Sequence, residues 1–154
     1  MNPADVLTYG QRDVDAIIDR FGPADWTAIA LGTWTVKDLV GHLGAFEARF
    51  AQILGRFLGE PVETDLASAP TATFNDDQAA IRVDWPVEQV VAELRDSHRR
   101  VMALVARIPV ERWREVGTIP WYGPQYALDD LAVYTMYGHK REHSPQLEAV
   151  LDGH

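Results

Sequence analysis

Apolar positions recur along this chain with helical spacing in four long segments. The first runs from about Pro3 to Phe21. Val6, Tyr9, Val14, Ile17, Ile18 and Phe21 make most of its stripe, Pro3 suits the first turn, and Gly22-Pro23 stops it. The second runs from about Val36 to Leu58. Thr35 is placed to cap it, with Asp38 three residues on completing a capping box, and Gly59 ends it. Leu39, Val40, Leu43, Phe46, Phe50, Ile53, Leu54 and Phe57 give this helix a broad buried face. The third runs from about Pro86 to Ile108 and ends at Pro109; the fourth runs from about Leu128 to Leu151. Pro145 falls inside the fourth, so the pattern predicts a kink or a break just after His143.

The linkers are unequal. Residues 22–34 are short and hold Trp26 and Trp34. Residues 59–85 are long, and Asn75-Asp76-Asp77-Gln78 looks like a cap that opens one or two helical turns through Ile81. Residues 109–127 are also long and carry Trp113, Trp121, Tyr122 and Tyr126. Linkers of this length in a compact domain often cover a site. No segment reads convincingly as a strand. The pattern therefore predicts an all-α protein: an antiparallel four-helix bundle with long, partly helical connecting loops, one domain over residues 1–154.

Composition narrows the function. A chain of 154 residues buries enough surface for a self-sufficient core. A net charge of −9, with Lys and Arg scattered, argues against nucleic-acid or anionic-membrane partners. No apolar run approaches the ~20 residues that a membrane helix needs. The start MNPADVLTYGQRDVD has neither a basic region nor an apolar one, so a cytoplasmic location is expected. There is no cysteine, so thiolate ligands and a cysteine nucleophile are ruled out, and thiol chemistry needs a thiol from outside.

Three histidines remain as candidate chemistry. His139 and His143 are four apart in YTMYGHKREH, and residues so spaced share a helix face with Cβ atoms roughly 5–6 Å apart. Their face also holds Leu131, Ala132, Met136, Leu147 and Val150, so it should point to the core, where two imidazoles without a ligand are expensive to satisfy. His42 lies at the edge of the second helix's stripe; alone it reads as a satisfied core histidine. One ligand from one helix and a pair from a facing helix match the way bundles build metal sites. Three protein ligands with a vacant position is the catalytic arrangement of such a metal. Asp38, one turn before His42, either holds the other ring nitrogen of His42 or stabilises the helix start. Glu142 beside His143 is either a base or a solvated charge. His98 falls on the stripe of the third helix without an i+4 partner and is left out of the ligand set, as is the terminal His154. Trp34, Trp121 and Tyr122 flank the helix ends and could wall a small-molecule pocket.

The segment TWTVKDLVGHLGAFEARF resembles the second helix of the DinB-like superfamily of metal-binding four-helix bundles, in which a Trp-Ser/Thr-Val-x-Asp start leads to a metal-binding histidine, here His42. YGHKREHSPQLEAVL resembles that family's fourth helix, whose H-x-x-x-H supplies the other two ligands, here His139 and His143. Relatives that depend on mycothiol often carry Glu at the first position of that pair; His139 looks closer to the branch with three histidines. The resemblance implies a divalent metal, zinc or nickel, and often a homodimer. It also implies transfer of a low-molecular-weight thiol (bacillithiol, mycothiol or glutathione) to a small electrophile. The expected function is thus a metal-dependent S-transferase, or a hydrolase if water replaces the thiol. The alternative is a metal-containing stress-response or small-molecule-binding bundle without turnover.

Overall fold

The computed structural model describes residues 2–61, 66–67 and 69–153; His154 lies outside them. Helix α1 spans Pro3–Ile18, capped by the Asn2 side chain, which accepts a hydrogen bond from Ala4 N at 2.9 Å. It ends three residues before the expected Phe21, in a turn leading to Gly22-Pro23. Its buried face is Val6, Leu7, Gly10, Gln11, Val14, Ile17 and Ile18. Tyr9, expected on that face, is exposed, with the Arg12 guanidinium over its ring.

A short hairpin follows, with β1 at Ile29–Leu31 and β2 at Trp34–Thr35, antiparallel, turning at Gly32 with φ +58°. Five residues of strand are too few for alternation to stand out against helical patterns. The hairpin delivers the chain to α2, Val36–Phe57, whose first amide bonds back to the Ala28 carbonyl. The capping box is formed: Thr35 Oγ1 accepts from Asp38 N, and Asp38 Oδ2 accepts from Thr35 N at 2.9 Å. Gly59, at φ +77°, terminates the helix in a conformation that side chains disfavour.

Helix α3 covers Phe74–Arg82, and α4 covers Val87–Val105. Arg82 clamps α3 to α4 through two hydrogen bonds to the Glu93 carboxylate, at 2.7 and 2.9 Å. The linker 109–127 contains α5, Val110–Arg114, which sinks Trp113 into the core. The fourth long helix is built in three parts: α6 at Leu128–Asp130, a π-helical stretch at Leu131–Tyr137, and α7 at Gly138–Asp152. The helix does not break after His143. Pro145 lies on its exposed side, where water can serve the carbonyl that proline leaves unbonded. The irregularity sits instead before His139, in the π stretch.

Two close approaches set the packing. α2 pairs most extensively with α4, and α1 packs on the π stretch and α7. A Cβ on Gly44 would lie 3.0 Å from Glu93 Oε1 and 3.5 Å from Leu94 N, so glycine there lets α2 approach α4. Burial divides into two apolar clusters. One holds Leu7, Phe50, Leu54, Val101, Leu104, Leu128 and Met136; the other holds Val14, Ile18, Val36, Leu39, Leu43, Leu94 and Leu147. Among the interior polar side chains are Glu47 of α2 and Lys140 and His143 of α7. Among the described residues no helix is long and apolar enough to cross a membrane.

Candidate metal centre

His42 comes from the second turn of α2, held in register by the Thr35–Asp38 box. His139 and His143 come from the first two turns of α7, one above the other as their spacing requires. The structure brings the three together: one ligand atom from each lies within 4.8 Å of the others. The ring centroids are 4.5 Å apart for His42 and His139, 4.6 Å for His139 and His143, and 5.2 Å for His42 and His143. The Nε2 atoms of His42 and His139 approach to 2.7 Å. Two ring nitrogens at that distance repel unless a proton or a cation lies between them.

The surroundings keep these rings neutral. Burial lowers the His42 pKa from 6.5 to about 4, helped by His143. Burial also lowers His139 to about 3, helped by His42, His143 and Lys140. Neutral imidazole is the form that binds metal. His143 Nδ1 faces Gln146 Oε1 at 2.7 Å; the amide oxygen accepts, so the ring proton sits on Nδ1 and Nε2 keeps its lone pair. The donor set, two half-buried imidazoles and one buried imidazole with no anion among them, fits a divalent cation.

The other expected residues are placed unevenly. Trp34 packs on His42 with ring centroids 5.0 Å apart. The Asp38 carboxylate accepts from Thr35, backbone and hydroxyl, and so anchors the helix start. Glu142 is exposed on α7. Trp121 is exposed at the rim of a cavity that Phe46 separates from the imidazoles, and the Tyr122 hydroxyl accepts from Thr135. Phe46 is the side chain common to both places: its ring centroid is 4.9 Å from His42 and 4.4 Å from His139.

A buried charged group beside the histidines escaped the sequence reading. Glu47 is fully buried; Lys140 Nζ lies 2.9 Å from its Oε2 and His98 Nδ1 lies 3.0 Å from its Oε1. The lysine contact is an ion pair approached off the hydrogen-bonding directions. Burial alone would raise the Glu47 carboxyl, but Lys140 and His98 outweigh it and hold its pKa below the ordinary carboxylate value. A signal existed. Val36, Val40, Leu43, Glu47, Phe50 and Leu54 alternate spacings of four and three, so Glu47 is a carboxylate in the middle of an apolar seam.

The chain matches the DinB superfamily over residues 7–147. No curated protein and no solved structure gives a significant match.

Proposed function

The chain belongs to the DinB superfamily, and from that premise we propose that it is a metal-dependent enzyme that transfers a low-molecular-weight thiol, or water, to a small electrophile. The observation that carries this reading is the convergence of His42, His139 and His143 from two helices. A divalent metal held there, zinc or nickel, supplies a double positive charge that favours thiolate over thiol, or hydroxide over water, near neutral pH.

The chain's own side chains define what remains. Burial holds His42 and His139 neutral, and Gln146 fixes the His143 tautomer, so all three keep a lone pair free. None of the three carries negative charge that would offset a cation. Trp34 and Phe46 cover two sides of His42 and exclude water from them. With no cysteine in the chain, the sulfur nucleophile comes from solution. The homodimeric state and cytoplasmic location belong to the same proposal.

The test begins with metal analysis of protein purified without an affinity tag. Near-stoichiometric zinc or nickel is expected, and its absence overturns the reading. Mass spectrometry then follows conjugate formation from an activated electrophile with bacillithiol, mycothiol and glutathione in parallel. Turnover should collapse in His139→Ala. Full metal occupancy without turnover by any thiol or by water would favour a binding protein instead.

A further inference from the structure

Arg49 is the unexplained charge of this fold. It projects from α2, two turns beyond His42, and is only 8 % exposed. No carboxylate pairs with it among the described residues, and its Nε is buried without an acceptor. Its guanidinium instead lies against aromatic rings, with Cζ 4.7 Å from the Phe74 centroid and 5.5 Å from that of Trp121. Aromatic rings offer a guanidinium no oxygen acceptor, and the Arg49 Nε donor remains unbonded. A buried cation without a counter-ion is unstable unless something supplies one.

The space beside it is suited to that role. Arg49 lines a cavity of about 160 Å³ whose other walls are mainly apolar, among them Phe46, Ile53, Leu131 and Met136. A cavity of about 150 Å³ with apolar walls accommodates a benzene ring. Phe46 forms one wall of this cavity and also touches His42 and His139.

We propose that this cavity is a binding site for a small monocarboxylate with an apolar body, its carboxylate paired edge-on with the Arg49 guanidinium. The hydrocarbon body lies against Phe46 and Met136. A carboxylate takes two parallel N–H donors from one guanidinium, which a single arginine can provide; a phosphate dianion would call for further donors, and the cavity walls are apolar. The protein's net charge of −9 makes this local positive site the exception rather than part of a general anion-attracting surface. Naming this carboxylate as the electrophilic substrate rests on the function proposed above; its binding does not.

The experiment compares benzoate with benzamide, its neutral counterpart of similar shape, by calorimetric titration of chelator-treated protein. Benzoate should bind at least tenfold more tightly than benzamide. Arg49→Gln should abolish that preference and Arg49→Lys should retain part of it. His42→Ala, which disrupts the imidazole cluster, should leave it intact. Melting curves add a second readout: removing an unpaired buried charge should leave the melting temperature of Arg49→Gln unchanged or raised, whereas a structural arginine would lower it. Equal affinity for the two probes, no benzoate binding by the folded chain at millimolar concentration, or a benzoate preference that survives Arg49→Gln overturns the proposal. If Arg49→Gln does not fold, Arg49 is structural and the proposal falls. Loss of metal binding in unaltered protein with the benzoate preference intact would instead overturn the metal-dependent function and leave this site standing.

Discussion

Two polar groups sit side by side inside this bundle and solve the problem of burial in opposite ways. Glu47, Lys140 and His98 bring both signs of charge, and the carboxylate lies between its two partners. His42, His139 and His143 bring donors of one kind, the first two kept neutral by burial, with their ring nitrogens 2.7 Å apart. The first group balances its charges without an added ion, although Lys140 Nζ and Glu47 Oε2 make no hydrogen bond. The second is satisfied only by a proton shared between rings or by a cation from outside. Adjacent positions on α7, His139 and Lys140, belong to different groups, so helix geometry alone separates a self-neutral cluster from a receptive one.

The sharpest way to break the contrast is to remove one imidazole. His42→Ala or His143→Ala should take the metal content of untagged protein from near one per chain to near zero, since two ligands hold a metal weakly; elemental analysis of the two variants decides it. In the same experiment Glu47→Ala should keep a metal if the variant folds.

Breaking the other group should act on stability. Glu47→Ala leaves Lys140 buried and unpaired, and removal of one partner of such a pair costs about 3–5 kcal/mol. Urea unfolding should show that loss, and much of it should return in the double variant Glu47→Gln with Lys140→Met, which removes both charges. An equal or larger loss in the double variant would mean that packing, not charge pairing, dominates there.

The two groups should also part under acid. In metal-free protein the folded-state pKa values of His42 and His139 lie at about 4 and about 3, below the unfolded value of 6.5. Between those limits the unfolded chain binds more protons, so stability is full above pH 6.5 and falls as pH drops toward 4 and 3. The combined loss should be on the order of a few kcal/mol. Glu47, whose pKa is lowered, loses its contribution only below the ordinary carboxylate range. Thermal melts of chelated protein across pH 4–7 should therefore decline from 6.5 downward, and a His42→Ala/His139→Ala double variant should be flat until carboxylates titrate. A decline that is the same in both proteins would count against the buried neutral rings.

The smallest effect concerns the residue that orients His143. Gln146→Leu removes the acceptor of the Nδ1 proton and should weaken metal affinity about 10–100-fold, read by competition with a chelator, with little change in the fold. An unchanged affinity would mean that the packing of α7 alone sets the ring.

The contrast also explains what could be read from the chain itself. The four helices announce themselves because each must bury one stripe, and that stripe is written at 3.6-residue spacing. His139 and His143 were legible for the same reason: a fixed spacing forces them onto one face. His42 joined them through a helix start, Thr35 to Asp38, whose caps are local in sequence. Glu47 and Lys140 are far apart in the chain, and only packing makes them neighbours, so the carboxylate in the α2 seam hinted at a partner without naming it. The Ile29–Thr35 hairpin is too short for its own periodicity. Pro145 misled because its effect depends on whether the freed carbonyl faces water or protein, which is a tertiary matter. The isolation of Arg49 is likewise a fact about neighbours that its flanking residues do not carry.

The π stretch at Leu131–Tyr137 has a consequence for how such a helix can change over evolutionary time. A π turn behaves as an α-helix that has absorbed an extra residue without breaking. Deleting one residue there would restore a regular helix with little change in how the residues before it are turned relative to His139, because the π stretch holds one residue more than the α turns it replaces. A deletion after Leu131 would leave that side chain on the cavity wall that Arg49 lines, and the imidazole pair would stay where it is. The π stretch thus buffers the cavity wall against the loss of one residue, whereas the same deletion in a regular helix would turn the wall and the histidines apart.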